Sequence, residues 1–210
     1  MESKTHRPVI IGIGELLWDM LPAGKRAGGA PVNFVYHATQ MGAEGYAISA
    51  VGRDPLGDEI LAELEKSGIK YCVARNGYPT GFVRVVLNNG IPSYDIVEGV
   101  AWDYLDVSDD AVALVERADA VCFGTLALRS AHSRRTIKTL LSHVPERALR
   151  FFDVNLRGTY YSRELIGELL AHANVFKVND EEIVVLKDMF DLSGDEETVC
   201  RAFIERYGLR

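Results

Sequence analysis

A mostly parallel α/β fold is what this sequence predicts. Two patterns carry the prediction: short, nearly continuous apolar runs of strand length, and amphipathic segments of helix length that alternate with them. A third observation adds a second, smaller sheet, because β-rich runs at 81–87 and 91–97 flank Asn88, Asn89 and Gly90, and Asn followed by Gly between such runs signals a tight hairpin.

Taken in order, Val9–Ile13 reads as a first buried strand. Residues 15–22 follow it without a helix signal and are assigned to the smaller sheet. Pro31 suits the first turn of a helix. A second strand spans 46–51; the helix after it, at 56–66, carries Ile60, Leu61 and Leu64 on one stripe and stops at Gly68. Beyond the hairpin, Ser108 and Ser162 are placed as N-caps, and strands are predicted at 120–123, 149–154 and 175–178. A last helix spans 198–207, with Gly208 as its cap and 195–197 as an acidic first turn. An α/β chain that completes a crossover helix should next add a strand, so the sheet is expected to continue past Arg210. No internal repeat or low-complexity linker interrupts the 210 residues. They read as one α/β domain over 1–210, with a small β lid formed by about 15–27 and 80–98.

Composition narrows the function classes. With 48% hydrophobic and 25% charged residues, the chain matches a globular protein rather than a disordered or coiled-coil one. Its formal charge of −7 repels phosphate backbones, so no nucleic-acid partner is expected. Cys72, Cys122 and Cys200 are widely spaced and form no CxxC pair, which suggests neither a disulfide framework nor a zinc site. No apolar stretch approaches the ~18 residues of a membrane span, so no membrane partner is expected and a cytoplasmic location is. Gly12 and Gly14 open a dinucleotide fingerprint, but Leu17 stands where its third glycine belongs, which disfavours a nicotinamide-linked oxidoreductase. Walker A, HExxH and GxSxG are absent. The five histidines show no ligand spacing, and Trp18 reads as packing.

What remains is an ordered series: GELLWD at 14–19, GGAPVN at 28–33, GRDPLGDEIL at 52–61, AWD at 101–103, DVNLR at 153–157 and KVNDEE at 177–182. Residue chemistry gives each a role. Asp19 offers a carboxylate to adjacent hydroxyls. Gly28 and Gly29 permit backbone conformations closed to other residues and close approach of a ligand. Asn33, in the first helical turn, can both donate and accept. Asp153, Asn155 and Arg157 leave a strand at its carboxyl end, on one face if the strand geometry continues, and Arg157 supplies a planar fork for phosphate or sugar oxygens. Asn179 and Glu182 open a helix, where the plain alternative is a capping residue with a glutamate favoured by the helix dipole.

Together these motifs resemble the ribokinase-like (PfkB) carbohydrate kinases, the bacterial fructokinases in particular. The resemblance implies ATP-dependent phosphorylation of a sugar hydroxyl, with ATP and Mg2+ as cofactors and a small-molecule sugar as substrate. It implies sugar binding by Asp19, Gly28, Gly29, Asn33 and Arg157, and a nucleotide site at Asn179 and Glu182 in which Glu182 orients magnesium-bound water. Phe82, Tyr94 and Trp102 are candidate lid or substrate contacts, and a homodimer through the lid is a further expectation. The family's GAGD signature, which supplies the anion hole and the aspartate base, is absent from these residues. No catalytic residue is therefore assigned within the chain, the base is expected beyond Arg210, and the chain alone is expected not to turn over. Ribokinase and 2-keto-3-deoxygluconate kinase remain open as alternatives, as does a non-catalytic sugar sensor.

Overall fold

The computed structural model describes residues 7–88 and 91–210, the side chains at 85–94 excepted. The apolar runs form the strands β1 (Val9–Ile13), β4 (Glu44–Gly52), β8 (Ala120–Gly124), β9 (Leu149–Asp153) and β10 (Val175–Lys177), joined by β5 (Lys70–Asn76). All pair in parallel, in the order β10-β9-β8-β1-β4-β5. Helices α1 (Ala30–Gln40), α2 (Pro55–Lys66), α3 (Asp109–Val115), α4 (Ala131–Ser142), α5 (Arg163–His172), α6 (Asp180–Met189) and α7 (Glu196–Tyr207) cover the sheet. Alternation along β4 shows why both faces are dry: Ala47 and Val51 join a core with α1 and α2, while Ile48 and Ala50 join the larger core.

Local chemistry sets the helix starts. Pro31 lies in the first turn of α1. Ser108 caps α3 through the Ala111 N–H, and Ser162 caps α5 through the Leu165 N–H, both at 3.2 Å. Asp195 caps α7 through the Thr198 N–H at 2.9 Å, and Gly208, with φ 64°, ends that helix. Among the described residues, no helix is long and apolar enough to cross a membrane.

The smaller sheet has the order β3-β2-β6-β7, built from β2 (Leu17–Leu21), β3 (Gly24–Gly28), β6 (Gly81–Asn88) and β7 (Ile91–Ile96). The hairpin turn predicted at Asn89 and Gly90 lies outside the described residues. The central pair, β2 with β6, is parallel, while β2–β3 and β6–β7 are the antiparallel hairpins.

Where the chain passes between this sheet and the body, carboxyl groups, half-buried Asp54 and buried Asp103, hold the backbone. Asp54, the N-cap of α2, accepts from the Thr80 N–H at 2.8 Å and from the Thr80 hydroxyl at 2.6 Å, just before β6. Asp103 accepts from the N–H groups of Gly99 (2.9 Å) and Val100 (3.2 Å), just after β7. Arg129 closes that second joint, bonding Asp103 through two nitrogens at 2.8 and 2.9 Å and the Val97 carbonyl at 2.6 Å.

Candidate functional site

The sheet order reverses at β1: the chain moves outward to β4 and β5, then returns to β8 on the other side of β1. Ligands of open α/β sheets sit beyond the carboxyl ends of strands at such a point. There the body contributes Glu15, Gly29 and Ala30 after β1, Leu126 after β8, and Asn155 and Arg157 after β9 to a cleft of about 580 Å³. Its other wall is one face of the smaller sheet. Register places Arg26 of β3 opposite Asp19 of β2, Asp19 beside Val83 of β6, and Val83 opposite Ile96 of β7. That row crosses the whole sheet, and all four residues line the cleft. Acceptors (Asp19, Glu15), cationic donors (Arg26, Arg157) and amides that do both (Asn33, Asn155) converge over an apolar floor, the lining a polyhydroxylated ligand requires. A similar-sized hollow of about 610 Å³ between α6 and α7 contains none of the expected sugar residues.

The glycine pair is there for a steric reason. A Cβ on Gly28 would stand 2.7 Å from the Asp19 carboxylate, and Gly29, at φ 118°, lies against the backbone carbonyl of Glu15. Burial raises the pKa of half-buried Asp19, and the positive charges of Arg26 and Arg157 pull it back down.

Alternation does not carry on past β9. Asn155 takes φ 40°, so Asp153, Asn155 and Arg157 leave the strand in different directions. Asn155 and Arg157 face the cleft, whereas Asp153 pairs with Lys177 of β10 at 3.0 Å. Burial raises the Asp153 pKa, and the Lys177 ammonium opposes the rise.

Asn179 and Glu182 form a reciprocal capping box at the start of α6. The Asn179 side chain accepts from the Glu182 N–H at 2.8 Å, and Glu182 accepts from the Asn179 N–H at 2.9 Å. The second Glu182 oxygen accepts from the Leu156 N–H at 3.1 Å, and the residue is only 5% exposed. Each Glu182 oxygen thus accepts from a backbone N–H and the residue caps the helix, which leaves its expected part in orienting magnesium-bound water a proposal. Among the described residues, no group of three or more His, Cys, Asp or Glu side chains is placed to hold a metal ion.

The sequence model of the pfkB family carbohydrate kinases matches residues 22–205, nearly the whole chain and with it most of the cleft just described. The chain belongs to that family.

Two relatives set this pfkB chain in context. A sugar kinase of Pyrococcus horikoshii is 29% identical over 199 residues, which cover 86% of this chain and 64% of that relative. The pfkB chain thus spans 64% of the length of that curated relative. The crystal structure of the same protein in complex with ATP superposes with a TM-score of 0.73, covering 88% of this chain and 67% of that one. A fructokinase with bound ATP from Xylella fastidiosa gives a TM-score of 0.80 at 20% identity, over 94% of this chain and 65% of its own, a likeness of fold.

Within this pfkB chain the aromatic candidates divide. Phe82 pairs with Trp18 on the face of the smaller sheet that packs towards α2, and its neighbour Val83 is the residue that lines the cleft. Trp102 packs in the larger core, 1% exposed, with the Arg129 guanidinium 4.0 Å above its ring. The side chain of Tyr94 lies outside the described residues. Trp18 is packing, as its surroundings predict, and donates through Nε1 to the Leu56 carbonyl at 3.0 Å. Sequence reasoning missed Glu15 and Arg26. For Arg26 a signal existed, because a two-residue turn at Pro22 and Ala23 sets the register that faces it to Asp19.

Proposed function

We propose that this chain forms the sugar-binding part of an ATP-dependent sugar kinase of fructokinase type. The observation that carries the reading is the cleft at the sheet reversal, where Asp19, Asn33, Asn155 and Arg157 converge beneath a small β sheet. Asp19 accepts two adjacent sugar hydroxyls, and Asn33 and Asn155 complete the polar ring. The smaller sheet acts as a lid whose apolar strip, Leu17, Val83 and Ile96, keeps water from the transferring group. ATP supplies the phosphoryl group. Arg157, exposed at the rim, fits a phosphate oxygen, and its charge sits where negative charge accumulates during transfer. Support for ATP comes from the P. horikoshii sugar kinase, whose structure holds it.

The choice of a neutral sugar over a sugar acid is favoured by charge balance. Of the two cations that line the cleft, Arg26 stands opposite Asp19 in the register of the smaller sheet and Arg157 is taken by a phosphate oxygen, which leaves neither for a substrate carboxylate. Isothermal titration of the 210-residue chain with fructose, ribose and 2-keto-3-deoxygluconate tests this. Fructose should bind best, and Asp19→Ala should weaken it about a hundredfold or more, the loss of two hydrogen bonds to a charged group. Unchanged fructose affinity in Asp19→Ala would remove that residue from the site.

A further inference from the structure

Glu15 is the buried acid that the reading above leaves without a task. It is 1% exposed, in the connection between β1 and β2, and it borders the sugar cleft. One carboxyl oxygen accepts from the Ala30 N–H at 3.1 Å, at the start of α1, while the other has no hydrogen-bond partner. The Glu15 backbone carbonyl lies against Gly29. The residue thus holds both chain crossings at this joint, the one that leaves β1 for the smaller sheet and the one that returns from β3 to α1. Between them is Gly28, packed on the Asp19 carboxylate.

We propose that Glu15 is a positioning residue for the sugar cleft, gripping the Gly28–Gly29 turn when ionised and loosening it when protonated, so that a proton here and a sugar at Asp19 are coupled. This rests on the sugar-cleft reading. The physical asymmetry is simple: a carboxylate accepts a backbone N–H more strongly than a neutral carboxyl does, and the Ala30 N–H is the donor that ties Glu15 to the start of α1. The titratable and charged groups that face Glu15 are Asp153 of β9, Arg157 beyond it and the Cys122 thiol of β8. Asp19 and Arg26 of the smaller sheet line the same cleft, and α1 presents its backbone. Burial, with the negative charge of Asp153 adding to it, lifts the Glu15 pKa to about 7, against the opposing pull of the backbone hydrogen bonds and Arg157. The change of state therefore falls in the neutral range. The Asp54 joint lacks this property: hydrogen bonds from Thr80 and Gly57 overcome the burial cost there and hold its pKa below the usual value.

The experiment uses the 210-residue chain in two arms. In the first, without sugar, the amide resonances of Gly29 and Ala30 are followed from about pH 5.5 to about pH 8.5 in wild type and Glu15→Gln. They should shift through one midpoint close to neutrality in wild type and stay flat in the variant. Flat wild-type resonances would overturn the proposal, and that result needs no variant to fold. In the second, fructose affinity is measured by calorimetry at about pH 6 and about pH 8. Wild type should bind five- to tenfold more tightly at the higher pH, and Glu15→Gln should change less than about twofold. Titrating amides with a pH-independent affinity overturn the coupling. Titrating amides with no sugar bound at either pH support the grip and overturn the sugar reading instead.

Discussion

Glu15 shows how much one buried atom can decide. Its ordinary pKa is 4.5 and its folded value about 7; at about 1.36 kcal/mol per pH unit, that gap is worth about 3 kcal/mol. Because the folded state holds the proton more tightly than the unfolded chain, this contribution is complete below 4.5 and is lost as the pH rises to about 7. Urea unfolding at about pH 5 and about pH 8 should show wild type losing on the order of 3 kcal/mol more than Glu15→Gln over that interval. Equal losses in the two proteins would mean that Glu15 titrates as an ordinary surface acid. Nothing in the sequence marks Glu15 out from Asp19, four residues away, because the difference between them is burial, which is settled by how α1 closes over β1. Gly28, Gly29, Asn33 and Arg157 were legible because their chemistry is local to the turn or strand end that bears them. Arg26 was less so, since it meets Asp19 only through strand register.

At the scale of elements, the capping box shows why a motif admits two readings. NxxE at a helix start places a carboxylate near the strand ends, where a kinase would want one, and also where α6 needs its first N–H groups satisfied. Here the second use is on view, and the Leu156 N–H adds a backbone donor to the remaining oxygen. Removing the carboxylate with Glu182→Ala should cost about 1 to 3 kcal/mol of stability, and Asn179→Ala about 1 kcal/mol, both read as lower urea midpoints with an unchanged slope. A Glu182→Ala protein as stable as wild type would show that the carboxylate is free for another task. Strands were legible in proportion to their burial. β8 is buried along its whole length and was read directly, while β5 is an edge strand with Lys70, Arg75 and Asn76 largely outside the core, and its pattern hid it. β3, with the sequence GKRAG, has no strand propensity of its own and exists because β2 offers it a partner.

The molecule as a whole is a six-stranded parallel sheet carrying a four-stranded one, joined at places where acids hold the backbone. Fold class was readable because parallel strands must be apolar on both faces, and β1, β8 and the centre of β4 are. The parallel pair at the centre of the smaller sheet was not readable, since it matches Leu17 with Gly81 across all of α1, β4, α2 and β5. That pairing governs the order in which the protein assembles. Closing so long a loop costs entropy that only the finished body can offset, so β2 and β6 join after the folding barrier has been crossed. Rapid-mixing measurements on Val83→Ala, which should lose about 1 to 2 kcal/mol, would then show faster unfolding at an unchanged refolding rate. Ile11→Val, in the centre of the body, would slow refolding. The sheet proposed as a lid is thus the last part of the molecule to form and the first to let go.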